Sequence, residues 1–180
     1  MGNPNDTPTP ILDEKIQPSL QKQDPHVIAG RYTVLEKLGQ GGMGRVYRAI
    51  DPILDRVVAV KVLISDELDE RYIARFQREA RAASHLEHSS IVRVIDFGIT
   101  GENQPYMVLD LVEGEPLDEL LQRQSPLSLE EAIEIMSQLC DAMQHAHNKN
   151  TIHRDLKPAN IMIVWQGEKL RAMILDFGIA

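Results

Sequence analysis

Hydrophobic and polar residues follow distinct patterns in the first third of the chain. Residues 1–28 are rich in proline and polar side chains, and their few apolar residues cannot offset the entropy of ordering, which predicts a disordered leader. Alternating apolar and polar positions then predict three strands, at residues 31–39, 45–51 and 56–63.

A helical period follows the third predicted strand. Apolar residues recur on one side of a helix at Leu68, Tyr72, Phe76, Ala80, Ala83 and Leu86. Two more strands, at residues 91–97 and 104–112, are separated by a hairpin-length loop. This order of elements predicts a small sheet domain that contains one helix.

The chain then becomes mainly helical. A short helix is predicted at residues 116–124 and a long one at residues 128–147, where Ser128 and Glu131 form a capping box at its start. The long helix carries an apolar stripe of Leu129, Ile133, Met136, Cys140 and Met143. We interpret Cys140, which lies on this stripe, as a small core residue.

Composition narrows the classes of protein and partner. The net charge of -8 provides no overall basic surface for nucleic acid or for an acidic membrane. The single cysteine excludes an internal disulfide framework and fits a reducing compartment. No apolar run approaches the roughly 20 residues of a membrane span, and no signal peptide is recognisable. We therefore expect a cytoplasmic protein with no nucleic-acid partner and no membrane segment in this chain.

A glycine-rich segment lies between the first two predicted strands, with Gly39, Gly41 and Gly44 followed by Val46. Such glycines let backbone amides approach a phosphate, although the spacing alone is a weak signal. A strand follows the glycines, whereas the dinucleotide-binding motif requires a helix there, and no Gly-Lys-Ser/Thr sequence is present. Two interpretations remain, a hairpin that covers phosphates and a glycine-rich hairpin without a ligand.

A lysine interrupts the apolar strand at residues 56–63. Lys61 requires an anionic partner if it is buried, because an unpaired buried charge is very costly. Glu79, on the predicted helix, and a bound phosphate are candidate partners for Lys61. The alternative is an edge-strand lysine that reaches solvent.

Polar side chains suited to phosphate chemistry are concentrated in the irregular segment at residues 153–160. Asp155 can accept a hydroxyl proton, Lys157 can neutralise a phosphoryl group and Asn160 can bind a hard cation. A hairpin with strands at residues 161–165 and 170–177 returns the chain to the same end, where Asp176 follows. Asn160 and Asp176 thus form a predicted pair of oxygen ligands for Mg²⁺.

Together, the glycine segment, the lysine, the helix glutamate, the sequence HRDLKPAN and the later Asp-Phe-Gly resemble the eukaryotic-type Ser/Thr protein kinase family, in particular its bacterial branch. The resemblance covers residues 31–180. It implies an α+β fold. Residues 31–112 would form the hinge and a complete N-lobe, which is made of a small antiparallel sheet and one αC-like helix. The first part of a mainly helical C-lobe is implied at residues 113–180.

The resemblance also implies an activity and roles for individual residues. The activity is transfer of the γ-phosphoryl group from Mg²⁺-ATP to Ser/Thr hydroxyls of protein substrates. Lys61, paired with Glu79, would contact the phosphates, Asp155 would act as the base and Lys157 would steady the transferred group. Asn160 and Asp176 would bind Mg²⁺. The implied ATP-binding residues are Leu38, Gly39, Gly41, Gly44, Val46, Ala59, Lys61, Leu109, Asp110, Val112 and Met162.

Asp-Phe-Gly occurs twice, at residues 96–98 and 176–178, and only the second copy follows the predicted catalytic loop. We interpret the first copy as a strand end without a metal role. Alternation places Phe97 in the core, while Asp96 and Gly98 start a turn. By resemblance, His153 packs under the catalytic loop as a structural residue.

The chain ends at Ala180, before the activation segment and the later helices of the family. We therefore expect these residues to retain the ATP site but to transfer phosphate weakly on their own, because the part that holds a protein substrate is missing. The alternatives are a nucleotide-binding or interaction module without turnover and a non-functional remnant. An uncovered stripe on the long helix further predicts self-association.

Overall fold

The fold is seen in a computed structural model, which describes residues 26–41, 44–64, 69–124, 126–167 and 169–177. Three parts of the sequence predictions lie outside these residues: positions 1–25 of the leader, Leu68 of the helical stripe, and Gly178 of the second Asp-Phe-Gly. Within the described residues, no helix has both the length and the apolar composition needed to cross a membrane.

The first lobe is an antiparallel sheet with one helix, as predicted. Its strands are β1 (Val27–Ile28), β2 (Tyr32–Gly41), β3 (Gly44–Asp51), β4 (Arg56–Leu63), β5 (Val94–Ile99) and β6 (Pro105–Asp110), paired in the order β1-β2-β3-β4-β6-β5. Helix α1 (Glu70–Ser84) connects β4 to β5. Strand β1 falls inside the segment predicted as leader, so the ordered structure begins before the predicted boundary.

The second lobe contains two helices and a small sheet. Helices α2 (Leu117–Arg123) and α3 (Leu129–Asn148) precede a sheet of β7 (Glu115–Pro116), β8 (Ile161–Gln166) and β9 (Lys169–Ile174). Strand β7 was not predicted from the sequence. Ser128 caps α3 and forms the predicted capping box with Glu131. Backbone hydrogen bonds of 2.9 Å, between Val92 and Ile174 and between Ile174 and Ser90, join the two lobes.

The six-stranded sheet is curled, because residues of β2 and of the edge strand β5 meet although three strands separate them. One hydrophobic cluster fills the inside of the curl and includes Val58, Val60 and Val62 of β4. The second cluster includes Ala59 and Leu63 and joins the other face of the sheet to α1 and the second lobe. Since side chains alternate along a strand, Lys61 points to the second side, where the two lobes meet.

Helix α1 buries the predicted stripe through Phe76, Ala80 and Ala83, whereas α3 does not. The buried residues of α3 are Ile135, Leu139, Ala142 and Ala146. Of the predicted stripe, Met143 packs against the core, whereas Leu129 is 72% exposed and Ile133 is 60% exposed. Cys140 is also exposed, so its interpretation as a core residue was wrong. Helix α3 is apolar on two faces, and the face that meets β9 is buried.

Candidate functional site

A cleft of about 550 Å³ lies between the two lobes. Side chains from β2, β3, β4 and β6 form its upper wall, and residues around β8 and after β9 form its floor. The predicted ATP-site and metal residues that line it are Leu38, Gly39, Val46, Ala59, Lys61, Leu109, Asp110, Val112, Asn160, Met162 and Asp176. The cleft thus gathers residues that lie more than a hundred positions apart in the sequence.

Gly41 and Gly44 lie at the tip of the β2–β3 hairpin, where they are paired in register. Gly44 has a φ of +155°, and a Cβ atom there would collide with the carbonyl oxygen of Val62 on β4. A glycine is therefore required at this position by the close approach of the two strands, whether or not a phosphate is bound.

Lys61 lies in an interior strand and is 12% exposed, which excludes the edge-strand interpretation. Its Nζ atom lies 2.8 Å from Oδ2 of Asp176. Glu79 instead accepts a hydrogen bond of 2.5 Å from Arg154. The predicted Lys61–Glu79 pair is therefore replaced by two other pairs in this structure. Strand alternation fixes the direction of Lys61, but the position of α1 decides which carboxylate it meets.

Asp155 is the centre of a compact hydrogen-bond group in the loop before β8. Its Oδ2 atom accepts from Lys157 Nζ at 2.7 Å and from Asn160 Nδ2 at 3.1 Å, and Nδ2 also donates to the Asp155 carbonyl at 2.7 Å. The hydrogen bond from Lys157, followed by that from Asn160, lowers the pKa of Asp155 below its ordinary value. Asp155 is therefore ionised at neutral pH, as a proton acceptor must be.

The imidazole of His153 connects this loop to the segment after β9. His153 is buried, its Nε2 atom lies 2.8 Å from the carbonyl oxygen of Leu175, and its ring centroid lies 4.8 Å from that of Phe177. Its Nδ1 atom accepts from the backbone N–H of Asp155 at 3.3 Å. The predicted packing of His153 under the loop is confirmed, and it links the backbone of Asp155 to that of Leu175, the residue before Asp176.

The oxygen ligands predicted for a metal lie side by side. The backbone N–H of Leu175 donates to the carbonyl of Asn160 at 2.9 Å, which places Asp176 next to Asn160 at the floor of the cleft. In the described part of the chain, no three His, Cys, Asp or Glu side chains gather closely enough to hold a metal ion. Two oxygen ligands fit a hard divalent cation that takes its remaining ligands from phosphates and water.

Some residues of the cleft were not predicted from the sequence. Arg48 lines it because it lies two positions after Val46 on the same face of β3, a signal that alternation provided. Gly114 also lines the cleft, and a Cβ atom there would lie 2.5 Å from the carbonyl oxygen of Ile163. Arg154 is the partner of Glu79, a contact that no spacing in the sequence indicates.

The chain belongs to the protein kinase family, since the family described as "Protein kinase domain" matches residues 32–180. The six-stranded sheet and α1 are the N-lobe of this fold, and the second lobe is part of its C-lobe. Membership implies the use of ATP, a divalent metal ion and protein substrates in general terms.

The chain is similar to bacterial Ser/Thr protein kinases. It is 44% identical over 155 residues to serine/threonine-protein kinase pkn3 of Myxococcus xanthus, covering 85% of this chain and 28% of that protein. It is 45% identical over 154 residues to PrkC of Bacillus subtilis, covering 85% of this chain and 23% of that protein. The chain therefore spans about a quarter of the length of these relatives.

A crystal structure of the PknI kinase domain from Mycobacterium tuberculosis has the same fold. The TM-score is 0.75 at 32% sequence identity, and the match covers 86% of this chain and 62% of the PknI chain.

Proposed function

We propose that the protein is a Ser/Thr protein kinase, which transfers the γ-phosphoryl group of ATP to Ser/Thr hydroxyls of other proteins. The observation that carries this proposal is the arrangement at one end of the cleft. There, Lys61 and Asp176 are in contact, Asn160 lies beside Asp176, and the ionised Asp155 is hydrogen-bonded to Asn160. Phosphoryl transfer requires this combination of charge stabilisation and positioning.

Each charged residue has a role in the proposed reaction. Asn160 and Asp176 hold Mg²⁺, which neutralises phosphate charge when the nucleotide is bound. Asp155 orients the acceptor hydroxyl and takes its proton, while Lys157, already 2.7 Å from Asp155, steadies the transferred group. Lys61 binds the α- and β-phosphates. For this, Lys61 exchanges Asp176 for the phosphates and for Glu79, and Glu79 leaves Arg154.

The adenine end of the site is apolar. Val46, Ala59 and Met162 provide the faces between which the base lies, and the backbone at Asp110 and Val112 binds its polar edge. Leu109 is 7% exposed and closes the back of the pocket.

Binding and transfer are tested separately in the 180-residue chain. Calorimetry with ATP and Mg²⁺ measures binding, and incorporation of labelled phosphate into a protein substrate measures transfer. We expect Lys61→Met to weaken binding without unfolding the chain, and Asp155→Asn to abolish any transfer while leaving binding intact. Binding that is insensitive to Lys61→Met and Asp176→Asn would refute the proposed site.

A second candidate is a nucleotide-binding or interaction module without turnover. It is favoured by the pairing of Lys61 with Asp176, because a lysine held by a metal-site carboxylate is not positioned on phosphates. The same two assays decide, since such a module binds ATP but shows no transfer that Asp155→Asn removes.

We also propose a location in the cytoplasm and self-association of this chain through the outer face of α3. Leu129, Ile133 and Met136 form an apolar surface there, each more than half exposed. Light scattering at about tens of micromolar tests the association, in the range where exposed apolar surface matters. A monodisperse monomer, unchanged by Ile133→Glu, would contradict it.

A further inference from the structure

A second cavity, of about 470 Å³, opens at one end of the curled sheet. None of its lining residues also lines the cleft between the lobes. The β1–β2 turn forms one side, the ends of β3 and β4 form another, and the turn between β5 and β6 at residues 100–104 completes the rim. We name this cavity the mouth of the sheet.

The mouth exists because the sheet curls until its two ends meet. Tyr32 donates a hydrogen bond of 2.5 Å to Asp96 on β5, and Arg31 lies 3.5 Å from the same carboxylate. These contacts close the curl on one side. The open end of a closed or nearly closed sheet is a usual place for a bound apolar group.

The floor of the mouth is the core of the curled sheet. Ile28, Tyr47 and Val62 line the mouth and are at most 6% exposed, and all three belong to the inner hydrophobic cluster. At the rim, Val27 is 48% exposed and Ile64 is 38% exposed. An apolar core thus reaches the surface here, with apolar side chains left at its edge.

The chain enters the first lobe at this rim. Val27 and Ile28 line the mouth directly, so residues 1–25 are joined to it through His26. This leader is largely polar, but it carries four aliphatic residues, Ile11, Leu12, Ile16 and Leu20. Leu20 precedes His26 by six residues, a length that spans at most roughly 20 Å when extended.

We propose that the aliphatic residues of segment 11–20 dock into the mouth of the sheet and cover the open end of its core. The leader is favoured over a separate ligand because its covalent connection gives it a high effective concentration at the rim. Docking buries aliphatic side chains against Val27 and Ile64, which the described residues leave exposed. The inference does not depend on the chemistry of the cleft.

Hydrogen exchange on the full 180-residue chain tests the docking. The reporters are amides at the rim that are hydrogen-bonded in the turn, those of Asn103 and Gln104. In the double variant Ile11→Asp/Ile16→Asp, we expect these amides to exchange roughly tenfold faster or more, since a buried aliphatic contact is lost.

The matched control is Thr7→Asp/Thr9→Asp, which adds the same charge to the leader at polar positions. We expect exchange at the rim to equal that of the unmodified chain. Equal exchange in all three proteins would overturn the proposal.

A disulfide experiment identifies the occupant. In a Cys140→Ser background, cysteines replace Gln17, beside Ile16, and Glu102, on the rim. We expect an intramolecular disulfide whose yield does not depend on protein concentration. Pairing Gln17→Cys with Gln122→Cys, on the exposed side of α2, is the control and should give little product. A disulfide-linked dimer would show that a second copy fills the mouth and would overturn the proposal.

Discussion

The two Asp-Phe-Gly tripeptides have the same sequence but different backbone structures. Asp96, Phe97 and Gly98 lie within strand β5, paired to β6. Asp176 follows the end of β9 and has a φ of +44°, a left-handed conformation that is uncommon for a residue other than glycine. Asp96 and Gly98 were predicted to start a turn, and this prediction is wrong because β5 continues to Ile99.

The aspartates differ in the partners that hold them. Asp96 accepts a hydrogen bond from Tyr32 and lies 3.5 Å from Arg31, so it fastens the first turn of the sheet to its last strand. Asp176 contacts Lys61 at the floor of the cleft. Asp96 therefore holds the curled sheet closed, whereas Asp176 faces the cleft between the lobes.

The residues that follow the two aspartates also differ in what they contact. Phe97 packs edge-on against Phe76 of α1, at 6.5 Å between ring centroids, and a Cβ atom on Gly98 would lie 2.9 Å from the hydroxyl of Tyr106. Phe177 packs against His153 of the loop before β8. The structural role of each tripeptide is therefore set by the elements that surround it and not by its own sequence.

The largest difference between substitutions at Asp176 and at Asp96 is expected in metal-dependent nucleotide binding. Asp176→Asn removes a charged oxygen ligand and should lower the affinity for Mg²⁺-ATP on the order of 100-fold. Asp96→Asn lies outside the cleft and should leave the affinity unchanged. Isothermal calorimetry on both variants measures the two affinities. Equal losses would remove the distinction between the two copies.

For the free energy of unfolding, Asp96→Asn should have a larger effect than Asp176→Asn. Asp96→Asn weakens the contact with Tyr32 and should lower the free energy of unfolding by about 1–3 kcal/mol, because a half-buried network loses its charged acceptor. Asp176→Asn should have a smaller effect. Urea unfolding measures both, and a double-mutant cycle with Tyr32→Phe isolates the pair. An additive cycle would show that the Tyr32–Asp96 contact stabilises nothing.

The ion pair between Glu79 and Arg154 should influence nucleotide binding near the second Asp-Phe-Gly, because it keeps Glu79 away from Lys61. Arg154→Gln frees Glu79 to approach Lys61, and we expect nucleotide binding to strengthen a few-fold, as expected for a partly exposed pair. Calorimetry provides the measurement, with Arg123→Gln as the control on α2. Weaker binding would mean that Arg154 itself supports the nucleotide site.

Alkaline pH should weaken the region of the first copy through the ionisation of Tyr32. Burial, followed by the hydrogen bond to Asp96, raises the pKa of Tyr32 above its ordinary value of 10.0. A raised pKa in the folded state means that this stabilisation is complete below the ordinary value and is lost as the pH rises toward the folded-state value. The free energy of unfolding should therefore fall above about pH 10, and less steeply in Tyr32→Phe. Identical profiles would contradict this assignment.

Local patterns in the sequence were sufficient to predict those features of the structure that depend on neighbouring residues alone. Alternation along β4 set the side on which Lys61 lies, and the capping box set the start of α3. Lys61, Asn160 and Asp176 also came together in one cleft, because the hairpin of β8 and β9 brings Asp176 back to Asn160.

Tertiary structure decided those features for which the local sequence allowed two arrangements, such as the buried side of a helix or the partner of a charged side chain. Helix α3 has apolar residues on more than one side, and its contact with β9 buries Leu139 while Cys140 stays exposed. Lys61 meets Asp176 instead of Glu79 because α1 directs Glu79 to Arg154, a residue 75 positions away in the sequence. Periodicity and spacing report the direction of a side chain, whereas its partner depends on how whole elements pack against one another.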